Sequence, residues 1–323
     1  MGKIFTFLEL RNGAVARSSL EALRGGQELA AQLHHSHTAV LFGLEAPPSE
    51  LTGLQLDDIL VAPAPQLAIY TSDQYVAAMD AVINAEAPNM LLAAHTYQAR
   101  DWLPRLACRL GRPLVSDCVG FRLDGDLIWL RPLFQGKMNA QVKTTPGLVM
   151  VSFQAGTFRS DDLESGSPTV RTHEVDLSAV PVRVQPGKAV QEGRGAVDLS
   201  RAERIVSVGR GIGSEENLPL VQALAEALDA ELGASRPVVD YGWLPHAHQV
   251  GSSGQTVAPK LYLAVGISGA IQHQVGMKGS GCVVAINKDP HAPIFEIADY
   301  GIVADFMEIV PALTAALLER RSG

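Results

Sequence analysis

Three cysteines in 323 residues, Cys108, Cys118 and Cys282, are too few and too scattered for a disulfide framework or a zinc site. Their scarcity points to a reducing compartment. No apolar run approaches the roughly 18 residues that a membrane-spanning helix needs. The opening Met-Gly-Lys-Ile-Phe-Thr-Phe-Leu enters an alternating strand pattern without a charged or apolar leader. Positive charge is short as well: Lys and Arg number 26 against 34 Asp and Glu, a formal net charge of −8. That balance supplies no electrostatic footprint for nucleic acid or for an anionic membrane. No solenoid-type repeat, Ser/His/Asp order, paired-carboxylate pattern or nucleophilic-cysteine signature emerges. The expectation is a globular cytoplasmic protein with no nucleic-acid partner, no membrane insertion, no metal site and no catalytic residues of its own.

What is present is apolar material in α/β rhythm. The hydrophobic content of 47% is ample for two cores, and the length exceeds the roughly 100 to 200 residues of one domain. Strand-like runs at Ile4 to Leu10, Ala39 to Gly43, Ile59 to Ala62 and Met90 to Ala93 alternate with helical spacing at Ser18 to Leu33, Asp73 to Ile83 and Trp102 to Leu110. From Val115 to Gln154, β-like runs with turn signals at Asp124-Gly125 and Pro146-Gly147 suggest antiparallel strands added to a parallel sheet. The pattern then fades through a polar, Gly- and Pro-containing stretch. The expected organisation is an N-terminal α/β domain over 1–190, a linker over 191–199, and a C-terminal doubly wound parallel-sheet domain over 200–323.

In the C-terminal domain, strand-like Arg204 to Val208 leads through Gly209 to a helix expected from Glu215 to Leu232. Strands follow at Val238-Val239, Leu261 to Val265, Cys282 to Ile286 and Ile302-Val303, with a closing helix from Glu308 to Arg320. Ligands in such sheets bind beyond the carboxyl ends of the strands. Those ends carry Gly209 to Ser214, Gly266 to Gln272, Asn287 to Asp289 and Asp305-Phe306, loops made largely of small residues. Gly266-Ile-Ser-Gly-Ala-Ile can offer backbone N–H groups and a positive helix end to a pyrophosphate, with Ser268 adding a hydroxyl. A Ser-Gly pair is equally an ordinary N-cap and tight turn.

Other clusters stay open too. Gly209-Arg-Gly-Ile-Gly213 approximates a nicotinamide fingerprint, with Asp240 as a ribose-binding acid, although Ser214 stands where the third glycine belongs. Arg236 sits at a loop edge where a guanidinium could meet an anion or simply face water. Val250-Gly-Ser-Ser-Gly254 is a loop without bulk. His34-His35-Ser36-His37 lies at a predicted helix end, where imidazoles favour the dipole without any metal. A nicotinamide-dependent dehydrogenase and an adenine-nucleotide sensor are the competing readings.

Several stretches in order and spacing then carry a resemblance: Gly209-Arg-Gly, Gly233-Ala-Ser-Arg236, Gln249-Val-Gly251, Val257-Ala-Pro-Lys-Leu-Tyr262, Val265-Gly-Ile-Ser-Gly-Ala-Ile-Gln-His273, Val284-Ala-Ile-Asn-Lys-Asp-Pro290 and Ala298-Asp-Tyr-Gly-Ile-Val-Ala-Asp305. Together they closely resemble the alpha subunit of electron transfer flavoprotein. Leu103-Pro-Arg-Leu106 and Pro113-Leu-Val-Ser-Asp117 extend the match more loosely into the first domain.

The resemblance implies an FAD held by the C-terminal domain, in a heterodimer with a beta subunit that contacts the N-terminal domain and itself holds AMP. It implies a carrier in a bacterial cytoplasm, linked to fatty acid beta-oxidation. Such a carrier takes electrons from flavin dehydrogenases of the acyl-CoA class and passes them singly to a membrane quinone oxidoreductase. By the same resemblance, Arg210, Ser235, Ser268, Gly269, Ala270 and Ile271 support the pyrophosphate and ribityl region. Asn287, Asp305 and Phe306 flank the adenosine end. Val250, Gly251, Ser252, Ser253, Gln272 and His273 surround the flavin. Arg236, Ser253 and His273 tune its potential, since donors in a partly dry site stabilise charge that develops on the ring.

The chain departs from the family at Ser252-Ser253-Gly254, where Gln-Thr-Gly is usual, and at Gln255, where a lysine is usual. Ser253 keeps the hydroxyl and lacks the methyl that restricts a threonine rotamer. A nitrogen-fixation-type or electron-bifurcating version of the carrier fits the same residues.

Overall fold

The computed structural model describes residues 2–11, 13–134, 136, 138–187 and 197–322. They form two compact units, Met1–Ala189 and Val190–Gly323. Residues 191–196 of the expected linker lie outside the described residues. Leu199, at the end of that expected linker, is buried in the core of the C-terminal unit.

The N-terminal unit runs β1 (Lys3–Phe7), a short hairpin β2 (Leu10–Arg11) and β3 (Ala14–Val15), α1 (Arg17–Leu33), β4 (Ser36–Phe42), β5 (Asp58–Ala62), α2 (Ser72–Glu86), β6 (Met90–Ala94) and α3 (Tyr97–Leu110). It continues with β7 (Leu114–Cys118), β8 (Phe121–Asp124), β9 (Asp126–Leu133), β10 (Met138–Val142), β11 (Val149–Phe153) and β12 (Thr169–Thr172). Seven of these strands make one sheet in the order β12-β5-β4-β1-β6-β11-β7, every neighbouring pair parallel. Its central strands are nearly continuous apolar runs because both faces are covered. Phe5, Phe7, Val40 and Leu91 pack beneath α2 and α3, while Ile4, Leu92 and Val151 pack with Ala22 and Leu29 of α1.

The expected antiparallel strands exist, and they form a sheet of their own, β10-β9-β8. Trp129 of β9, fully buried, roots that sheet in the core shared with Phe153 and Val115. The stretch where the sequence pattern fades also contributes β12, an edge strand paired with β5.

The C-terminal unit comprises β13 (Arg204–Val208), α4 (Leu218–Leu228), β14 (Glu231–Ala234), α5 (Arg236–Asp240), β15 (Leu261–Val265), α6 (Ile271–Val275), β16 (Val283–Asn287), β17 (Tyr300–Val303) and α7 (Phe306–Ser322). Its sheet, β14-β13-β15-β16-β17, is parallel throughout. This corrects two expectations. The helix expected to reach Leu232 stops at Leu228, because Asp229 adopts a left-handed backbone (φ 52°) and turns the chain into β14. Val238-Val239 is helical: Pro237 at the first turn presets helical φ after Ser235, and Val238 buries against α4's core neighbours. The sheet therefore has five strands, with β14 in place of the strand expected at Val238-Val239.

Candidate cofactor site

The strand order reverses between β14-β13 and β15-β16-β17, and a cavity of about 630 Å³ opens beyond the carboxyl ends at that reversal. Loops from four strands line it: Arg210 after β13, Ser235 and Arg236 after β14, Ser268 and Ala270 after β15, and Asn287 closing β16. Val250, Gly251, Ser252 and Ser253 come from a separate loop, and Gln272 and His273 from α6. The structure brings these residues together around one cavity.

Four expected residues fall outside the lining. Gly269 is buried at φ 84°, where an added Cβ would stand 2.2 Å from the Ile294 nitrogen. Ile271 is exposed at the start of α6. Asp305 accepts the Met307 N–H at 2.9 Å at the head of α7, and Phe306 packs partly buried against the core. Both follow β17, whose Val303 is in register with Asn287 of the lining.

The glycines serve a purpose the sequence does not reveal. Gly211 N–H donates to the Gly266 carbonyl at 2.9 Å, and a Cβ on Gly209 or Gly211 would lie 2.2 or 2.5 Å from that same oxygen. They brace one ligand loop against another, backbone on backbone. The nicotinamide reading loses its glycine loop by this packing, and it loses its acid too. Asp240 sits at the end of α5, pairing with Arg236 at 3.3 Å, and both side chains are well exposed.

The anion-binding capacity resides in the chain after β15. Among the described residues, no backbone N–H from Ser268 to Gln272 donates to a protein acceptor. Gly269 is buried among them, and a buried N–H left unpaired is costly unless something binds it. Since α6 is only five residues long, individual N–H groups rather than a long helix dipole supply the attraction. Arg210 adds a guanidinium without an ion-pair partner among the described residues.

Directly after that run the chemistry is different. His273 is buried, its Nε2 lies 2.9 Å from the Tyr262 hydroxyl, and its Nδ1 has no partner at hydrogen-bond geometry. Burial pushes its pKa down to about 4, with the Val250 backbone acting in the opposite sense. The imidazole is therefore neutral near pH 7, and the positive charge on the cavity lining belongs to Arg210 and Arg236. Ser253 accepts a hydrogen bond from Gln249 Nε2 at 2.9 Å. Gln255 reaches the carbonyls of Val197 and Ala247 at 2.9 and 2.5 Å. Asn287 holds its neighbours, donating to the Ile267 carbonyl at 2.9 Å and accepting from Asp289 at 3.0 Å.

Tyr262, Gln249 and Gln255 escape sequence reasoning as site residues. Tyr262 occupies an apolar position of β15, and the two glutamines act through contacts that only folding creates.

Unpaired donors that can meet phosphates, together with a partly buried lining, are what a flavin dinucleotide requires. Residues 198–278 match the family described as the electron transfer flavoprotein FAD-binding domain, and residues 4–178 match the electron transfer flavoprotein domain. The chain belongs to the electron transfer flavoprotein family, as an alpha subunit. It is similar to the electron transfer flavoprotein subunit alpha of Thermoanaerobacterium thermosaccharolyticum, 38% identical over 318 residues with 96% of each chain covered. The Bacillus subtilis subunit alpha is 36% identical over 313 residues, covering 97% of this chain and 96% of the relative. The acryloyl-CoA reductase electron transfer subunit beta of Anaerotignum propionicum is 35% identical over 357 residues, covering 99% and 96%. Membership in this family makes the chain an electron carrier and not an enzyme with its own substrate. Among the described residues no helix is long and apolar enough to cross a membrane.

Proposed function

We propose that this electron transfer flavoprotein alpha subunit works in a cytoplasmic heterodimer with a beta subunit. It would accept electrons at FAD from acyl-CoA-type dehydrogenases and deliver them singly to a quinone oxidoreductase at the membrane. A relative named as an electron transfer subunit of acryloyl-CoA reductase supports the dehydrogenase class. The N-terminal domain, residues 1–190, would contact the beta subunit, and AMP would sit in that partner and not in this chain.

When bound, FAD supplies a ring that takes up and returns electrons one at a time. The chain's own groups would bind and orient it. The N–H groups from Ser268 to Gln272, with Arg210 and Ser235, would hold the phosphates and ribityl hydroxyls. Asn287, Asp305 and Phe306 would border the adenosine. Ser253 and His273 would offer hydrogen bonds to the ring, and the Arg236 guanidinium would favour negative charge beside it. The buried floor made by Val250, Gly251 and His273 would limit water there.

The observation that most supports this reading is the run of unpaired N–H groups from Ser268 to Gln272, of which Ser268, Ala270 and Gln272 line the cavity together with a buried neutral histidine. Co-expression with the partner beta chain tests it: the purified complex should be yellow, with one FAD per heterodimer. A colourless complex that also fails to take up added FAD would sink the proposal.

A further inference from the structure

Gln249 is 3% exposed and does not line the cavity, yet its side chain ends on a residue that does. We propose that Gln249 is a positioning residue for the redox chemistry of the site. Its side-chain amide occupies one lone pair of the Ser253 hydroxyl, so that the hydroxyl proton is directed into the cavity toward an acceptor on the cofactor ring. The inference rests on the reading that the cavity holds FAD with its ring beside Ser253.

A serine side chain is unbranched at Cβ and has three staggered rotamers open to it. On an exposed loop nothing in its covalent structure selects one. The 2.9 Å contact from Gln249 Nε2 supplies the selection. The amide N–H can only donate, so Ser253 Oγ is the acceptor and its single proton must point elsewhere.

For this to work the glutamine must itself be fixed, and it is held on several sides. Its backbone N–H donates to the His246 carbonyl at 2.9 Å, and its carbonyl accepts from Gln255 at 2.7 Å. It bridges to Ala234 at the end of β14. Gly254 lies directly over it: a Cβ there would stand 2.3 Å from the Gln249 carbonyl oxygen and 2.9 Å from its Cγ. The side chain is clamped beneath the turn whose tip carries Ser253, with Gln255 tying the same loop to Val197 and Ala247.

The test is a double-substitution cycle in the FAD-loaded heterodimer. Gln249→Met keeps the length of the side chain and removes its donor, Ser253→Ala removes the hydroxyl, and the third variant combines them. The readouts are the midpoint potential of the first electron and FAD affinity. Thermal unfolding of each complex reports folding. We expect Gln249→Met and Ser253→Ala to shift the potential in the same direction, and the combined variant to match Ser253→Ala alone. FAD affinity should fall between about two- and tenfold, the scale of one hydrogen bond.

Gly254→Ala reaches the same contact by another route, since its methyl would displace Gln249, and it should shift the potential in the same sense. The proposal is overturned if Gln249→Met leaves the potential unmoved, or moves it equally in the Ser253→Ala background. It is also overturned if Ser253→Ala leaves the potential unmoved while FAD still binds, which spares the FAD reading. Failure of the parent complex to take up FAD would instead defeat the functional reading itself.

Discussion

The Tyr262 hydroxyl and Nε2 of His273 lie 2.9 Å apart, both side chains buried, so the imidazole at the cavity floor is tied to β15 from beneath. Tyr262→Phe removes that partner from a ring whose Nδ1 already lacks one. We expect the C-terminal unit to lose about 1–3 kcal/mol, the cost of a buried polar group left unsatisfied. Denaturant unfolding checks this; an unchanged midpoint would show that the contact contributes nothing.

Acid should weaken both units through buried histidines. Burial holds His273 at about 4 and His37 at about 3, against 6.5 for an ordinary imidazole. As pH falls below 6.5 the unfolded chain takes up these protons first, so the stability present above 6.5 is lost as pH falls through the folded values. Glu9 and Glu21, raised by burial, work in the opposite sense, their contributions being lost as pH rises through their folded values. His37→Gln and His273→Gln should each flatten the decline in unfolding free energy between pH 6.5 and 4. A slope unchanged in both variants would rule the histidines out as its source.

Gly269→Ala should be far more damaging than its single methyl suggests. The backbone is at φ 84° and the methyl would meet the Ile294 nitrogen at 2.2 Å. Gly242, at φ 77° with nothing within 4 Å, isolates the backbone strain alone, about 1–2 kcal/mol for alanine. Thermal melts of both variants, with FAD titration, should show the larger loss of stability and the loss of binding only at position 269.

Much of this was legible in advance. Apolar runs such as Ile59 to Ala62 and Leu261 to Val265 declare buried parallel strands, and the small residues at strand ends mark loops that line the cavity. The end of α4 was not legible, because an aspartate can turn left-handed at a helix end without any glycine to mark it. Nor was α5: two valines read as strand until Pro237 and the burial of Val238 decide for helix. Gln249 and Ser253 are close in sequence, yet their contact depends on Gly254 folding the turn over the glutamine. Sequence spacing gives the residue types, and the pairing arises from tertiary closure.

Arg236 and Asp240 separate a ligand role from a structural one. Their pair is exposed, with side chains 68% and 61% accessible, and contributes about 0–1 kcal/mol. Asp240→Asn should leave both melting and FAD affinity nearly unchanged, whereas Arg236→Gln should weaken FAD binding without lowering the melting temperature of the cofactor-free chain. The reverse pattern, with Asp240 critical, would revive the nicotinamide reading.

The two sheets also differ in the order in which a ribosome can complete them. In the C-terminal sheet each strand after β13 emerges beside one already made, so pairing advances with translation. In the N-terminal sheet β7 stands at an edge whose neighbour, β11, is encoded beyond the whole β8–β10 excursion. A nascent chain stalled before Val149 therefore carries a naked β7 and an uncovered flank of β6, open to misassociation or chaperone capture.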